Sequence, residues 1–203
     1  MGDQHRAGLL IAIEGPKLVG KTTLVNELRQ RANETSGWIF TKEPTERFDL
    51  GNEQRLLGTE LAKRIAEDRR SHVDHLIDPA LRDGRVVVTD RYVLSSYVFH
   101  CLDGVEPAVI AELNRPFPRP DLLVVLLCSP ITLEQRRAER GKQTRLGAAI
   151  TPEQEMCGYL TYASLVRPLS EKIILCYNES MKDSRFIADA LVAETRAIEG
   201  RHA

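Results

Sequence analysis

Short apolar runs alternate along the chain with longer stretches in which apolar residues recur every three or four positions. The runs are Leu9–Ile13, Trp38–Thr41, Val86–Thr89, Leu122–Leu127 and Ile173–Cys176, all rich in Ile, Val and Leu and mostly without polar alternation. Such runs predict strands buried on both faces of a parallel sheet. The longer stretches predict helices. Thr22–Ala32 carries Leu24, Val25 and Leu28 at helical spacing. Leu56–Leu81 carries Leu57, Leu61, Ile65, Val73, Leu76, Ile77 and Leu81, and stops at the turn signal Asp83-Gly84. Pro107–Leu113, Thr132–Arg140, Glu153–Val166 and Phe186–Ile198 are the remaining helical patterns. Strand–helix alternation of this kind predicts an open, doubly wound α/β sheet. Ligands in such sheets bind beyond the carboxyl ends of the strands, so chemistry is expected just after each strand.

Composition narrows the class. A chain of 203 residues is expected to be one domain, at roughly 100–200 residues per domain. The 28 basic and 29 acidic residues give a formal net charge of −1, which argues against a protein that coats DNA. With 28% charged and 42% hydrophobic residues the chain reads as ordinary and globular. The longest apolar run, Leu122–Cys128, has seven residues, far short of a bilayer span. The N-terminal Met1-Gly2-Asp3-Gln4-His5-Arg6 leads into an apolar stretch already broken by Glu14, which is not a secretory signal pattern. Cys101, Cys128, Cys157 and Cys176 have no CxxC spacing, so reduced, mostly buried thiols are expected rather than disulfides or zinc. A soluble, cytoplasmic protein is the expectation.

The strongest signal follows the first run. Gly15-Pro16-Lys17-Leu18-Val19-Gly20-Lys21-Thr22 matches GxxxxGK[ST], with Thr23 next in the following helix. Gly15 and Gly20 allow backbone conformations that turn several N–H groups inward as an anion nest. The helix starting near Lys21 points its positive end at the phosphates. Lys21 is expected on the β- and γ-phosphates and the Thr22 hydroxyl on Mg²⁺. No NKxD or DxxG pattern of a GTPase switch is present as such.

After the second run come Lys42-Glu43-Pro44, and after the third Asp90-Arg91-Tyr92 with Ser95-Ser96. Between them lie Asp68-Arg69, His72 and Pro79-Ala80-Leu81. Pro120-Asp121-Leu122 opens the fourth run, and an Arg-rich segment with Arg136, Arg140-Gly141 and Arg145 follows it. In order and over nearly the whole chain, these motifs resemble the thymidylate kinase family of nucleoside monophosphate kinases. The resemblance implies a P-loop NTPase fold: three layers, α/β/α, with a five-stranded parallel sheet and an Arg-rich lid at about 134–150 on a single 1–203 domain. It also implies ATP and Mg²⁺ as cofactors, transfer of the γ-phosphoryl group to a nucleoside monophosphate such as dTMP, and a homodimer.

The residues carry roles of their own. Asp90, ending a strand beside the P-loop, can hold a metal-bound water or orient the acceptor phosphate; a helix-capping Asp is the plainer reading. Arg91 can fork onto the acceptor or transferred phosphate, or form a surface ion pair. By resemblance Arg69 contacts the acceptor base or phosphate, and Glu43, with Pro44, the acceptor sugar or the metal water. A solvated helix face and an ordinary loop carboxylate are their alternatives. Ser95, Ser96, Ile65 and Phe99 are expected on the acceptor, and Arg136 on ATP. From Glu134 to Arg145 five bases (Arg136, Arg137, Arg140, Lys142, Arg145) face two acids. Some family members carry a catalytic Arg in the P-loop and others in the lid. The loop position here is Leu18, so the lid is expected to supply the charge, through Arg145 or Arg140.

The chain departs from the family on the acceptor side. Lys17 stands where an acidic residue usually touches the sugar hydroxyl, and Thr45-Glu46-Arg47 replace the usual GGT. Ile65 holds the place of a stacking aromatic, and Phe99 that of a common Tyr. Lys17 either favours a more anionic acceptor or faces solvent. Two other functions stay open on sequence: a nucleoside kinase with Glu43 as general base, and a nucleotide-binding module without catalysis.

Overall fold

The structure is a computed structural model that describes residues 7–32, 37–141, 145–165, 170 and 172–202. In chain order the elements are β1 (Leu9–Glu14), α1 (Lys21–Ala32), β2 (Trp38–Lys42), α2 (Asn52–Arg55), α3 (Gly58–His72), a π-helical turn (Val73–Ile77) and α4 (Asp78–Arg82). Then follow β3 (Val86–Asp90), α5 (Val93–Leu102), α6 (Pro107–Asn114), β4 (Leu122–Leu127), α7 (Pro130–Arg140), α8 (Arg145–Ala148), α9 (Pro152–Leu165), β5 (Lys172–Tyr177) and α10 (Met181–His202).

The strands form one all-parallel sheet in the order β2-β3-β1-β4-β5. β1 lies at the centre, between β3 and β4, and every residue of β1 and β4 is buried. That burial explains their unbroken apolar runs. The edge strands β2 and β5 are partly exposed. Helices α1 and α10 pack together, while α3, α5, α6 and α9 form the second helical layer. Asp90 pairs with Ile13 on one side and Lys42 on the other, so the ends of β1, β2 and β3 open on the same edge.

Local signals explain the element ends. α7 begins at Ser129, whose Oγ accepts from Thr132 N–H at 3.1 Å, followed by Pro130 at the first helical position. The single helix expected over 56–81 is divided: α3 passes through the π turn, which buries Val73 and Ile77, into α4. The sequence pattern does not foretell α5. It is buried around most of its circumference, so it shows no amphipathic stripe. All four cysteines are free thiols, but only Cys128 is buried; Cys101 and Cys176 are half-buried and Cys157 is exposed. The expectation of mostly buried thiols is corrected there. Val166 and Lys142 lie outside the described residues. Among the described residues no helix is long and apolar enough to cross a membrane.

Candidate active site

The loop between β1 and α1 is shaped by its glycines. Gly15 has φ 141°, and a Cβ there would sit 2.3 Å from the Leu126 carbonyl oxygen. At Gly20, with φ 105°, a Cβ would sit 2.2 Å from the Asn178 amide. Neither position admits a side chain. Leu18 also has positive φ, 72°, a strained state for a branched residue. Asn178 is buried and ties the loop to α10: its Nδ2 donates to Val19 O at 2.7 Å and its Oδ1 accepts from Ser184 Oγ at 2.8 Å.

Lys21 lies folded across this loop, its Nζ donating to Gly15 O at 2.9 Å and Pro16 O at 2.7 Å. Burial, and next the Arg91 charge, lower its ammonium to about 7. Thr22 Oγ1 donates to Asp90 Oδ2 at 3.3 Å. Among the described residues no cluster of three or more His, Cys, Asp or Glu could hold a metal. A hydroxyl and a carboxylate at one point suit Mg²⁺, which takes few protein ligands and fills its shell with phosphate and water.

Arg91 also has positive φ, 74°. Its Nη1 donates to Tyr159 Oη at 2.7 Å, Ser95 Oγ at 2.9 Å and Gly15 O at 3.4 Å, and its guanidinium lies 5.2 Å from the Phe99 ring centre. Glu14, fully buried at the end of β1, accepts from Tyr92 N at 2.9 Å, Ser95 N at 3.1 Å and Ser95 Oγ at 2.5 Å. It caps α5 from another element, and burial pushes its carboxyl up. Lys21 and Arg91 therefore converge on one carbonyl, Gly15 O, although 70 residues separate them.

Two clefts flank the loop, one lined by Leu18 and the other by its neighbour Lys17. One, of about 490 Å³, is lined by Leu18, Gly20, Thr23, Arg136, Arg140, Asn178 and Met181, among others. Arg136 staples its floor: Nη1 donates to Leu18 O (3.3 Å) and Val19 O (3.1 Å), Nη2 to Asn178 O (3.3 Å) and Glu179 O (2.9 Å). The other cleft, of about 310 Å³, runs along α5. Its walls include Phe48, Leu50, Leu61, Ile65 and Phe99, and its polar lining includes Lys17, Glu43, Arg69, Arg91, Ser95, Ser96 and His100. Pro44, joined to Glu43 by a cis peptide, lines it as well.

Glu43 and Arg69 line that cleft but are engaged elsewhere. Arg69 is 1% exposed. It donates from Nε to Glu43 Oε2 at 2.7 Å, from Nη2 to Tyr92 O and Ser96 Oγ at 3.1 Å each, and from Nη1 to Asn114 Oδ1. Glu43 Oε1 meets His72 Nδ1 at 3.0 Å, and His72 Nε2 meets Thr41 Oγ1 at 2.7 Å. A neutral ring protonated at Nδ1 satisfies both contacts. The sequence expects both residues on the acceptor; the structure spends most of their polar groups on each other and on α5 and α6.

Of the lid arginines, Arg136 is bonded to the phosphate loop, and the others have partners or positions elsewhere. Arg145 grips Asp103 in a bidentate pair (2.8 and 3.0 Å), and its Nε donates to Glu53 O at 3.0 Å. That places α8 over the second cleft, where Gly147 forms part of the lining. Arg137 pairs with buried Glu155 at 2.5 Å, and exposed Arg140 stands on the rim of the first cleft. The structure thus brings together Lys21, Thr22, Asp90, Arg91, Ser95 and Phe99, but neither Arg145 nor Arg140 joins them.

Several site residues escape the sequence reading: Glu14, His100, Glu155, Tyr159 and Asn178. His100 could have been found had α5 been foreseen, because it follows Ser96 by one turn. Its Nδ1 is the one buried side-chain nitrogen or oxygen among the described residues without a hydrogen-bond partner. Burial first, and Arg69 next, lower its imidazole to about 4, with Arg145 adding to the effect and Asp103 opposing it. Between about 4 and the ordinary 6.5 the unfolded chain binds more protons. Stability from this group is therefore intact above 6.5 and lost as pH falls, by about 2 kcal/mol at pH 5. Urea unfolding at pH 7.5 and 5.0 should show that loss in the wild type, and a smaller pH dependence in His100→Asn. An equal dependence in both would contradict it.

The fold and loop define a P-loop α/β protein with paired clefts at the carboxyl edge of its sheet. The sequence model of the thymidylate kinase family matches residues 13–177, and the chain belongs to that family. It is 38% identical over 141 residues to a thymidylate kinase of Xanthomonas oryzae pv. oryzae, a match covering 66% of this chain and 62% of that protein's length. It is 35% identical over 147 residues to a probable thymidylate kinase of Thermococcus gammatolerans, covering 64% of this chain and 70% of the relative. The crystal structure of thymidylate kinase from Ehrlichia chaffeensis superposes with a TM-score of 0.67 at 19% identity, over 92% of this chain and 97% of that one, which shows a shared fold.

Proposed function

We propose that the protein is an ATP-dependent nucleoside monophosphate kinase acting on dTMP. The convergence of Lys21 and Arg91 on Gly15 O, in a loop whose Leu18 lines one cleft and whose Lys17 lines the other, carries this reading. ATP takes the first cleft, with its base against the flat Arg136 guanidinium and its phosphates on residues 15–23. The monophosphate takes the second, with its phosphate toward Arg91 and its base among Ile65, Phe99 and Ser96. An acceptor phosphate oxygen forms a bond to the γ-phosphorus as the bond to the β–γ bridging oxygen breaks, and ADP leaves with that electron pair. Lys21 and Arg91 hold the charge of the group in transit. Thr22 and Asp90 are the residues that would hold Mg²⁺, whose contribution is charge neutralisation on the phosphates.

The state of Glu43 favours a monophosphate over a nucleoside acceptor. A nucleoside kinase needs a carboxylate to take the hydroxyl proton, and both Glu43 oxygens are occupied, by Arg69 and His72. A phosphate acceptor needs no such base. A single kinase domain over 1–203, with its lid at about 134–150, and a cytoplasmic homodimer belong to the same reading and rest on the family resemblance. An ADP-release screen across nucleosides and nucleoside monophosphates tests it. Turnover with dTMP and none with thymidine is expected, and the reverse would overturn it.

A further inference from the structure

Moving a phosphoryl group between two nucleotides gathers several negative charges in a small volume, and each needs a facing cation. The described cations near the loop can be sorted by what they already hold. Arg136 is spread over four backbone carbonyls. Arg137 is held by Glu155 and Ile150 O, and Arg145 by Asp103 and Glu53 O. Arg140 is on the rim of the far cleft. Lys17 is different. It sits two residues after Gly15, lines the same cleft as Arg91, and forms no ion pair among the described residues. Its backbone is fixed: Lys17 N–H donates to Glu155 Oε1 at 3.0 Å, and Glu155 is 1% exposed, its other oxygen held by Arg137. The loop is thus pinned at the residue that carries an uncommitted ammonium.

Resting on the proposed kinase reading, we propose that Lys17, and not a lid arginine, is the second cation beside Arg91 on the acceptor phosphate and the group in transit. It forms and breaks no covalent bond; it offsets charge that the apolar walls of the cleft cannot. The Glu155–Arg137 pair is its positioning device, because it ties the loop at Lys17 to α7 and α9. Arg145 instead holds α8 over the cleft through Asp103.

The test compares Lys17→Met, Lys17→Arg and Arg145→Ala by steady-state kinetics with ATP and dTMP. Lys17→Met should lower kcat/KM for dTMP by roughly 10²-fold, with the KM for ATP and the urea midpoint little changed. Lys17→Arg should recover about tenfold of that loss, and Arg145→Ala should lose less than Lys17→Met. Wild-type kinetics in Lys17→Met, or a larger loss in Arg145→Ala, would overturn the proposal. If the wild type phosphorylates no monophosphate, the functional reading falls by itself. Calorimetric titration with dTMP then still judges Lys17: weaker binding by Lys17→Met supports its place on the phosphate, and equal binding overturns it.

Discussion

Lys21→Met is expected to lower turnover by about 10³-fold while making the protein harder to unfold. The ammonium is 6% exposed and is held down at about 7, mainly by burial. The unfolded chain keeps that proton up to the ordinary 10.5, so it binds more protons than the folded chain between about 7 and 10.5. Stability from this site accordingly rises with pH across that window, and the full cost is borne below it. That cost is on the order of 4–5 kcal/mol. Methionine removes it along with the hydrogen bonds to Gly15 O and Pro16 O, leaving a net gain of about 2 kcal/mol. Urea unfolding at pH 7 and pH 9.5, beside steady-state kinetics, checks both halves. The variant should be slower, more stable at pH 7, and flatter in its pH dependence. Turnover within tenfold of wild type would remove Lys21 from the chemistry.

Glu43→Ala should carry the largest stability loss, about 3–5 kcal/mol, because it strands a buried guanidinium. Arg69 has almost no solvent to turn to, and His72 loses its partner in the same step. The double variant Glu43→Leu, Arg69→Met should recover a good part of the loss, since it removes both charges. Denaturant midpoints for wild type, single and double variants form the check. A double variant no more stable than Glu43→Ala would mean that the pair is not the source of the effect.

This cluster also marks where sequence reading stops. The five strands and the phosphate loop were legible because their signals are local: unbroken apolar runs, and glycines at fixed offsets from Lys21 and Thr22. Burial of a charge is not local. Glu43 and Arg69 look like ligand contacts because they follow a strand end and sit on a helix, yet whether they face a ligand or each other depends on partners 26 residues apart. Arg145 illustrates the same point. A lid guanidinium is expected near phosphates on charge alone, while its partner in the structure is Asp103, 42 residues earlier, which no local pattern marks. Lys17 and Glu155 are 138 residues apart, and nothing in the sequence joins them. α5 was hidden for the opposite reason: nearly all of its faces are buried, so no periodic stripe announced it; Ser96 and Phe99 were reached only through the family resemblance, and His100, on the same wall, was not reached at all.

The proposed reaction carries a phosphoryl group from ATP in the first cleft to a nucleotide phosphate in the second, past the loop that lies between them. The most direct measurement is to incubate the protein with ATP, Mg²⁺ and dTMP and to quantify both nucleotide products, with thymidine in a parallel reaction. dTDP and ADP should form in equal amounts, with no thymidine product. ADP without dTDP, or phosphorylated thymidine with dTMP inert, would contradict it.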